Sequence, residues 1–385
     1  MSTLKVGGIR GVSASSDAIT VANDGTCTAN VTNNLSNRNK VGNGAMLCAQ
    51  RGTSHSPGAS SQIYTLDRFQ HIATTGVAFD ATVTQDSSAP VGFSKSYKVT
   101  PDATDTPTGG GNGCIRTKIE GQDLQDLAYG GSDAKKVTVS FYAKSAGSNN
   151  NQQYTFQLRH FATDGTMRSI NAPFTITSSF QRFTFTFEGD TAVDIINTSA
   201  LGMELDWQLA SGPDDIASQH TSWTTTNLFT CVTGQSNFLD STSNEFYVTG
   251  VQLEIGSVAT PYEHCKHGDE LRRCQRYYYR ITGDDNDTAG LGFAVSSNEN
   301  YFWIELPVPM RTYPTYTGSA TAARFFSGNN GQDFNLSSLG ISTPTTHANP
   351  TKVLFYVTAA GTSVGYGGAL SFQADNGIME FSAEL

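Results

Sequence analysis

Short runs of alternating apolar and polar residues constrain the fold of this chain more than any other feature. The run Val137–Lys144 places its valines, Phe141 and Ala143 on one face of an extended strand and polar side chains on the other. Turn clusters rich in glycine and asparagine separate such runs, as expected for antiparallel strands joined by short connections. The pattern predicts a mainly β protein built on an antiparallel β-sandwich of the jelly-roll type.

The sandwich is expected to contain several strands of this kind and little helix. Its predicted strands are Phe93–Thr100, Lys136–Lys144, Gln153–Phe161, Phe180–Phe187, Gly202–Ala210 and Glu245–Ile255. A helical pattern lies around Gly121–Ala128, and Trp207, between two leucines of a predicted strand, is expected in the core.

The stretch Glu245–Arg280 contains a predicted strand, a break and a predicted short helix. The odd-numbered residues from Tyr247 to Ile255 are expected on the buried face, with Gln252 and Glu254 on the solvent face. A glycine and a proline then end the strand. The helix is predicted from about residue 268 to 279, with acidic residues before arginines, the order that the helix dipole favours. We interpret this stretch as the end of one domain and the start of another.

The 385 residues are too many for one typical domain, and four segments are predicted. Residues 1–40 form an extended N-terminal segment for docking or trimer winding, because their apolar content is too low for an independent core; a disordered leader is the alternative. Residues 41–265 form the jelly roll, 266–280 the connecting helix and 281–385 a C-terminal β tip domain.

Composition excludes several classes of function. A formal net charge of −10 argues against a nucleic-acid-binding surface. The sequence has no apolar run of membrane-spanning length, so no membrane insertion is expected, and its N-terminus lacks a secretory apolar region. The six cysteines are scattered without a C-x-x-C pair, so we expect free, mostly buried thiols and no zinc site.

Four motifs carry a resemblance to a known family. They read N-G-A-M-L-C-A-Q-R-G at Asn43–Gly52, Y-T-L-D-R-F at Tyr64–Phe69, Y-V-T-G-V-Q-L-E-I-G-S-V-A-T-P-Y-E-H at Tyr247–His264 and C-Q-R-Y-Y at Cys274–Tyr278. Together they resemble segments of tail-fibre and related virion proteins of tailed bacteriophages. The resemblance implies a jelly-roll domain that opens with the first two motifs.

The resemblance also implies a function and partners. The chain is expected to be a non-enzymatic virion structural protein, assembled in the host cytoplasm as a homotrimeric tail fibre or fibre-like appendage. Its N-terminal segment would attach to other tail proteins, and its β domains would contact a host surface glycan or protein. A head decoration or tail collar protein is the alternative, because the sequence does not show where the N-terminal segment docks.

Two sets of residues are candidates for these contacts. The predicted helix is too short to be stable alone, so its apolar stripe is expected to line a three-fold junction between chains. The interface candidates are Leu271, Cys274, Tyr277 and Tyr278. Aromatic rings can stack on the apolar face of a sugar. The receptor-binding candidates are Trp223, Trp303, Tyr313 and Tyr316.

An enzyme is the second alternative. A tailspike-type polysaccharide depolymerase needs two carboxylates across a cleft, and Glu204 with Asp206 would share one face of a strand. Ordinary structural carboxylates are the favoured interpretation, and no nucleophile, phosphate-binding or zinc-protease motif is present. No catalytic residue and no cofactor is predicted.

Two clusters with ligand-type side chains are also interpreted structurally. His264, Cys265 and His267 could bind a transition metal, but one turn cannot supply four ligands, so junction packing is favoured. The run Asp284–Asp287 lacks the full calcium-loop pattern and predicts a turn. No metal site is predicted.

Overall fold

The computed structural model describes residues 6–13, 19–21, 27–29, 37–225, 231–318, 323–327, 331–341 and 351–385. Within residues 1–40 it shows three short antiparallel strands, β1 (Gly8–Ile9), β2 (Ile19–Val21) and β3 (Cys27–Ala29). Most of the predicted docking or winding segment lies outside the described residues. Asn39 and Lys40 already bond to the sandwich, through the Val251 and Leu253 carbonyls, so the sandwich begins slightly before residue 41.

The predicted antiparallel sandwich is confirmed, and it consists of two six-stranded sheets. Its strands and the short parallel pair in the last connection are β4 (Ser54–His55), β5 (Gln62–Tyr64), β6 (Phe69–Ala73), β7 (Ala81–Asp86), β8 (Ser96–Pro101), β9 (Asn112–Glu120), β10 (Val137–Ala146), β11 (Gln153–Phe161), β12 (Met167–Thr175), β13 (Gln181–Phe187), β14 (Leu201–Ser211), β15 (Ile216–Ala217), β16 (Cys231–Val232) and β17 (Glu245–Ile255). One sheet has the order β13-β10-β17-β8-β7-β4 and the other β12-β11-β14-β9-β6-β5. Short 3-10 helices occupy Gly121–Leu127, Pro213–Asp215 and Phe238–Asp240.

Aromatic side chains fill the space between the two sheets. Phe141 on β10 contacts Phe156 on β11, with ring centroids 5.6 Å apart, and meets Trp207 edge-on at 5.4 Å. Trp207 is fully buried, as predicted from its position in the strand. Such offset and edge-to-face pairs add to the burial of large apolar surface, so the phenylalanine-rich strands account for the sandwich core.

Strand β17 departs from simple alternation because it contains a β-bulge at Gly250. This residue has φ of 62°, and the register with β10 shifts beside it. The core-facing side chains therefore change from even numbers, Phe246 and Val248, to odd numbers at Val251. Tyr247 is buried, as predicted, but it lies on the opposite face of the strand from Val251, because the bulge between them changes which residues face the core.

The predicted solvent face of β17 is also buried. Gln252 and Glu254 are 0% and 1% exposed because residues 260–263 fold back along the strand. The Thr260 hydroxyl donates to the Glu254 carboxylate at 2.7 Å, and the Glu263 backbone N–H donates to the Gln252 side chain at 2.8 Å. The polar side chains of Gln252 and Glu254 are therefore buried and not in contact with water.

The connecting helix α1 (His267–Gln275) is shorter than predicted. It ends before the three consecutive tyrosines because Tyr278 already begins a strand, β18 (Tyr278–Gly283). Aromatic residues favour a pleated, half-buried environment, and here they pair with the last strand of the chain. No helix in the described part of the chain is both long and apolar enough to cross a membrane.

The C-terminal region forms a small sheet and a closed barrel. Its remaining strands are β19 (Thr288–Ala294), β20 (Glu299–Glu305), β21 (Thr315–Thr317), β22 (Ala323–Ser327), β23 (Gln332–Ile341), β24 (Lys352–Ala359), β25 (Gly367–Phe372) and β26 (Gly377–Ser382). The small sheet has the order β18-β26-β21, and the barrel has the order β19-β20-β24-β23-β22-β25. The barrel has its own apolar core, separate from that of the sandwich.

Buried charges join the C-terminal region to the sandwich. The Arg68 guanidinium, 3% exposed, donates to the Glu384 carboxylate and stacks on the Tyr277 ring, 3.4 Å from its centroid. Arg51 donates to the same carboxylate at 3.1 Å and lies 3.6 Å from the Tyr278 ring centroid. We call Arg51, Arg68 and Glu384 the junction ion cluster.

Replacing Glu384 with glutamine should destabilise the protein strongly. The substitution leaves two largely buried guanidinium groups without their shared carboxylate, and removing one partner of a buried ion pair costs about 3–5 kcal/mol. Urea unfolding at neutral pH measures the change in free energy of unfolding.

Glu305→Gln is the matched control, because Glu305 pairs with Lys352 at 2.8 Å in a solvent-exposed ion pair. We expect no measurable change there, since solvent screens exposed pairs. Equal effects of the two substitutions would show that the junction ion cluster does not hold the two regions together.

Candidate functional site

The outer surface of the barrel carries an exposed apolar face. Leu291, Phe293, Trp303 and Tyr356 are 68%, 41%, 40% and 37% exposed, and Tyr301 between them is half-buried. We call these five residues the aromatic face. Single exposed apolar residues are ordinary, whereas a contiguous set is a candidate binding surface.

The pairing of β19, β20 and β24 makes this face continuous. Leu291 lies opposite Trp303, Phe293 opposite Tyr301, and Tyr301 opposite Tyr356. The rings of Phe293 and Trp303 have centroids 5.6 Å apart, and those of Tyr301 and Tyr356 are 5.3 Å apart. Directly opposite residues in a sheet are the pairs that interact, so three strands hold the rings in fixed positions.

A polar group borders the aromatic face. The Tyr356 hydroxyl hydrogen-bonds to the Glu299 carboxylate, which raises the pKa of Tyr356 to about 12. Glu299 is exposed and retains acceptor capacity. Rings beside a carboxylate can pack on the C–H groups of a ligand and accept hydrogen bonds from its hydroxyls.

The barrel core explains why these side chains point outwards. Residues between them along the strands, such as Phe302 and Phe355, are fully buried inside the barrel. Gly292 lies between Leu291 and Phe293 and leaves room for the Phe302 ring. A Cβ at position 292 would lie 2.7 Å from that ring. Strand alternation therefore sends Leu291 and Phe293 to the outer surface.

The structure assigns different roles to the receptor-binding candidates of the barrel region. Trp303 belongs to the aromatic face. Tyr316 instead packs edge-on against Phe355, with centroids 4.8 Å apart, and against Phe381 at 5.7 Å. Tyr313 is half-buried, and its hydroxyl is enclosed without a partner among the described residues. Tyr316 is half-buried with its ring packed against the barrel core, and a receptor contact by this residue stays a prediction.

Trp223 lies on the sandwich, away from the aromatic face. Its indole N–H donates to the Glu188 carbonyl at 2.7 Å, and its ring packs edge-on against Tyr129 and His160. Both ring neighbours are buried. Trp223 therefore fixes the connection after β14 to the sandwich, and this packing accounts for its half-buried position.

The interface candidates fall mainly inside the chain. Cys274, Tyr277 and Tyr278 are 1%, 8% and 4% exposed in the single chain, so a second copy cannot reach them. The sandwich covers them, which corrects the expectation that they line a three-fold junction. Leu271 is half-buried, and its role in an interface stays a prediction.

Glu204 and Asp206 lie on one face of β14, as predicted, and are buried in an ion network. Asp206 accepts from Arg116 at 2.7 and 3.0 Å and also from Arg159, which lies 2.8 Å from Glu204. Burial raises the pKa of Asp206, but Arg116 and Arg159 outweigh this effect and hold it below its usual range. The geometry is that of a structural network.

The connection from β14 to β17 covers the surface of this sheet. Thr155, Gln157 and Gln208 are fully buried although they point away from the sandwich core. The Val232 backbone N–H donates to the Thr155 hydroxyl at 2.9 Å, and Gln235 donates to the Gln208 carbonyl at 2.9 Å. The chain itself therefore occupies this outer sheet face.

The two clusters with ligand-type side chains are explained by local packing. The His264 ring packs against Phe93 and Tyr262, with centroids 5.1 and 4.9 Å apart. Asp285 in the acidic turn pairs with Arg324 at 3.0 Å. Among the described residues, one group of three side chains has its donor atoms within 4.8 Å of one another and could hold a metal ion, namely Cys48, Asp67 and Cys274.

The sequence matches no family model and no curated protein. Similar solved structures include the enzymatically active domain of a tailspike protein from bacteriophage CBA120, with 12% identity, a TM-score of 0.29 and coverage of 57% of this chain and 21% of that chain. A family 11 carbohydrate-binding module from Clostridium thermocellum has 12% identity, a TM-score of 0.28 and coverage of 54% and 96%. A xylan-binding domain from Paenibacillus barcinonensis has 10% identity, a TM-score of 0.27 and coverage of 54% and 94%.

Asp206→Asn should lower stability in a pH-dependent way. The folded-state pKa of Asp206 is depressed, so its ionised form stabilises the fold above the ordinary aspartate value of about 3.9. At neutral pH the substitution should cost about 3–5 kcal/mol, because Arg116 and Arg159 lose the buried carboxylate that they share and Glu204 alone remains beside them. As the pH falls through the folded-state pKa, the carboxylate of the unsubstituted chain is protonated and the difference shrinks.

Urea unfolding at about pH 7 and about pH 3.5 measures this difference. Asp133→Asn, at an exposed position, is the control and should change stability at neither pH. A small effect of Asp206→Asn at neutral pH would contradict the structural assignment.

Proposed function

We propose that this chain is a non-enzymatic structural protein of a bacteriophage virion that contacts a host surface glycan through its barrel. It is a fibre-like appendage, attached to the particle by its N-terminal segment. The observation that carries the proposal is the aromatic face, in which rings on three adjacent strands are held in register at the protein surface. The motif resemblance to phage fibre proteins supports the virion origin.

The shape and chemistry of the aromatic face favour an extended glycan. Its rings lie on a convex barrel wall, where they can stack on successive sugar units without enclosing them. Glu299 and the tyrosine hydroxyls supply hydrogen-bonding groups at its border. Host surface polysaccharides present both apolar ring faces and hydroxyl groups, so they complement this surface.

The burial of the one candidate carboxylate pair of the sandwich supports binding without cleavage. Glu204 and Asp206 are 4% and 0% exposed and are neutralised by Arg116 and Arg159. A glycosidase needs one carboxyl group that holds a proton and a second that reaches the sugar. Binding without hydrolysis is therefore the proposed activity.

Trp303→Ala should weaken glycan binding while leaving the fold intact. An array of purified bacterial capsular polysaccharides and lipopolysaccharide O-antigens, probed with the full chain, should show binding to at least one glycan. Loss of a central aromatic contact should lower affinity at least about tenfold, as for other truncated hot-spot residues. Bound glycans should gain no new reducing ends.

Phe180→Ala is the matched control, because Phe180 is a half-buried ring on the sandwich beside Lys144. It should bind like the unsubstituted chain. Two results would overturn the proposal: no binding to any glycan or to intact bacterial cells, or full binding by the Trp303→Ala variant.

Solution mass should show a homotrimer. We expect light scattering to give three times the 41.2 kDa of one chain. A variant without residues 2–36 preserves Asn39, which bonds to the sandwich, and tests the N-terminal segment alone. A trimer in both variants places the assembly contacts in the β regions or at Leu271, and loss on truncation places them in the N-terminal segment. A monomer in both would contradict the trimer and favour a decoration or collar protein.

A further inference from the structure

Cys48, Asp67 and Cys274 meet where the sandwich contacts helix α1. Their two sulfur atoms and a carboxylate oxygen all lie within 4.8 Å of one another, and the residues are 2%, 1% and 1% exposed. We propose that this cluster is a structural binding site for a divalent cation of the zinc class. The ion would link two loops of the sandwich to the helix that leads into the C-terminal region.

The three donors match the chemistry of such an ion, and a water molecule would complete its four-coordinate shell. Zinc accepts cysteine sulfur at about 2.3 Å and carboxylate oxygen at about 2.0–2.2 Å, so donors on one ion lie about 3.5–4 Å apart. The observed spacing needs only small movements to reach this geometry. Two sulfur donors favour zinc, cadmium or cobalt over magnesium and calcium, which prefer oxygen.

Asn43 holds the three ligand-bearing segments together. Its side-chain amide donates to the Cys48 carbonyl at 2.9 Å and to the Asp67 carbonyl at 2.8 Å, while its side-chain oxygen accepts from the Cys48 N–H. Its backbone N–H donates to Glu270, which lies one helical turn before Cys274. Asn43 is fully buried, so one residue fixes all three segments before an ion arrives.

The charges around the site are also compatible with a bound divalent cation. Two thiolates and one carboxylate with a dication leave a single negative charge. Arg51 lies beside this charge, with its guanidinium 3.3 Å from the Asp67 carboxylate. Each thiol releases its proton to solvent as the sulfur–metal bond forms, and no electron transfer is involved.

The first test measures metal content. The full chain is expressed in minimal medium with added zinc, purified under reducing conditions and analysed by inductively coupled plasma mass spectrometry. We expect one zinc ion per chain. Protein from cobalt-grown cells should show thiolate-to-cobalt charge-transfer absorption, which reports directly on sulfur ligands.

Variants assign the ligands. Cys48→Ser and Cys274→Ser should lose the ion and the charge-transfer band. Asn43→Ala should lower metal affinity by about 10–100-fold in competition with a chromophoric chelator, as expected for a residue that positions ligands. Cys114→Ser is the matched control, because Cys114 is a fully buried thiol on β9, and it should keep the ion. Circular dichroism verifies that each variant is folded.

Three results would overturn the proposal. The first is an unsubstituted chain with free thiols, no zinc and no cobalt band. The second is a Cys48–Cys274 disulfide, seen as a mass lower by two hydrogens and as a cross-linked peptide. The third is full metal content in folded Cys48→Ser. If the serine variants do not fold, the unsubstituted chain and Cys114→Ser provide the test. A cobalt band in both supports the site, and no band in either contradicts it.

Discussion

The buried guanidinium of Arg68 is the constraint on which the arrangement of the two β regions depends. A charge removed from water must be paired and hydrogen-bonded, and the sandwich alone does not supply an acid for it. Glu384, from the far end of the sequence, provides the carboxylate, and the Lys118 carbonyl accepts a second bond at 2.6 Å. The C-terminal region can therefore dock in few orientations without leaving a buried charge unpaired.

This constraint gives three of the four motifs a structural meaning. Asn43, Arg51 and Arg68 come from the two motifs that open the sandwich, and Tyr277 and Tyr278 come from the motif that begins in the last turn of helix α1. All of them meet at one junction, where rings stack on guanidinium groups. Residues from three of the four motifs thus specify how the two regions join. The aromatic face lies outside all four motifs.

Alternation along single strands predicted the sandwich but not the details that set side-chain direction. Strands such as Val137–Ala146 were found because their apolar faces are uniform. The bulge at Gly250 changes which residues of β17 face the core, and the bulge is recognised from the register of β17 with β10. Tyr277 and Tyr278 were predicted to face another chain because their strand partners and the covering sandwich are distant in sequence. The same reason hid the cluster of Cys48, Asp67 and Cys274, since ligand spacing in sequence detects only local sites.

The distribution of polar and apolar surface explains why the barrel is the proposed contact region. On the sandwich, polar residues that point away from the core, such as Gln157 and Asp206, are covered by a long connection and satisfied by internal bonds. On the barrel, apolar side chains remain in contact with water. Trp303 and Phe293 stay exposed although burying them would be favourable. The internal bonds of the buried polar side chains offset the cost of removing them from water, whereas the exposed rings forgo the stabilisation that burial would give. Such a surface is expected where a ligand or another chain completes the burial.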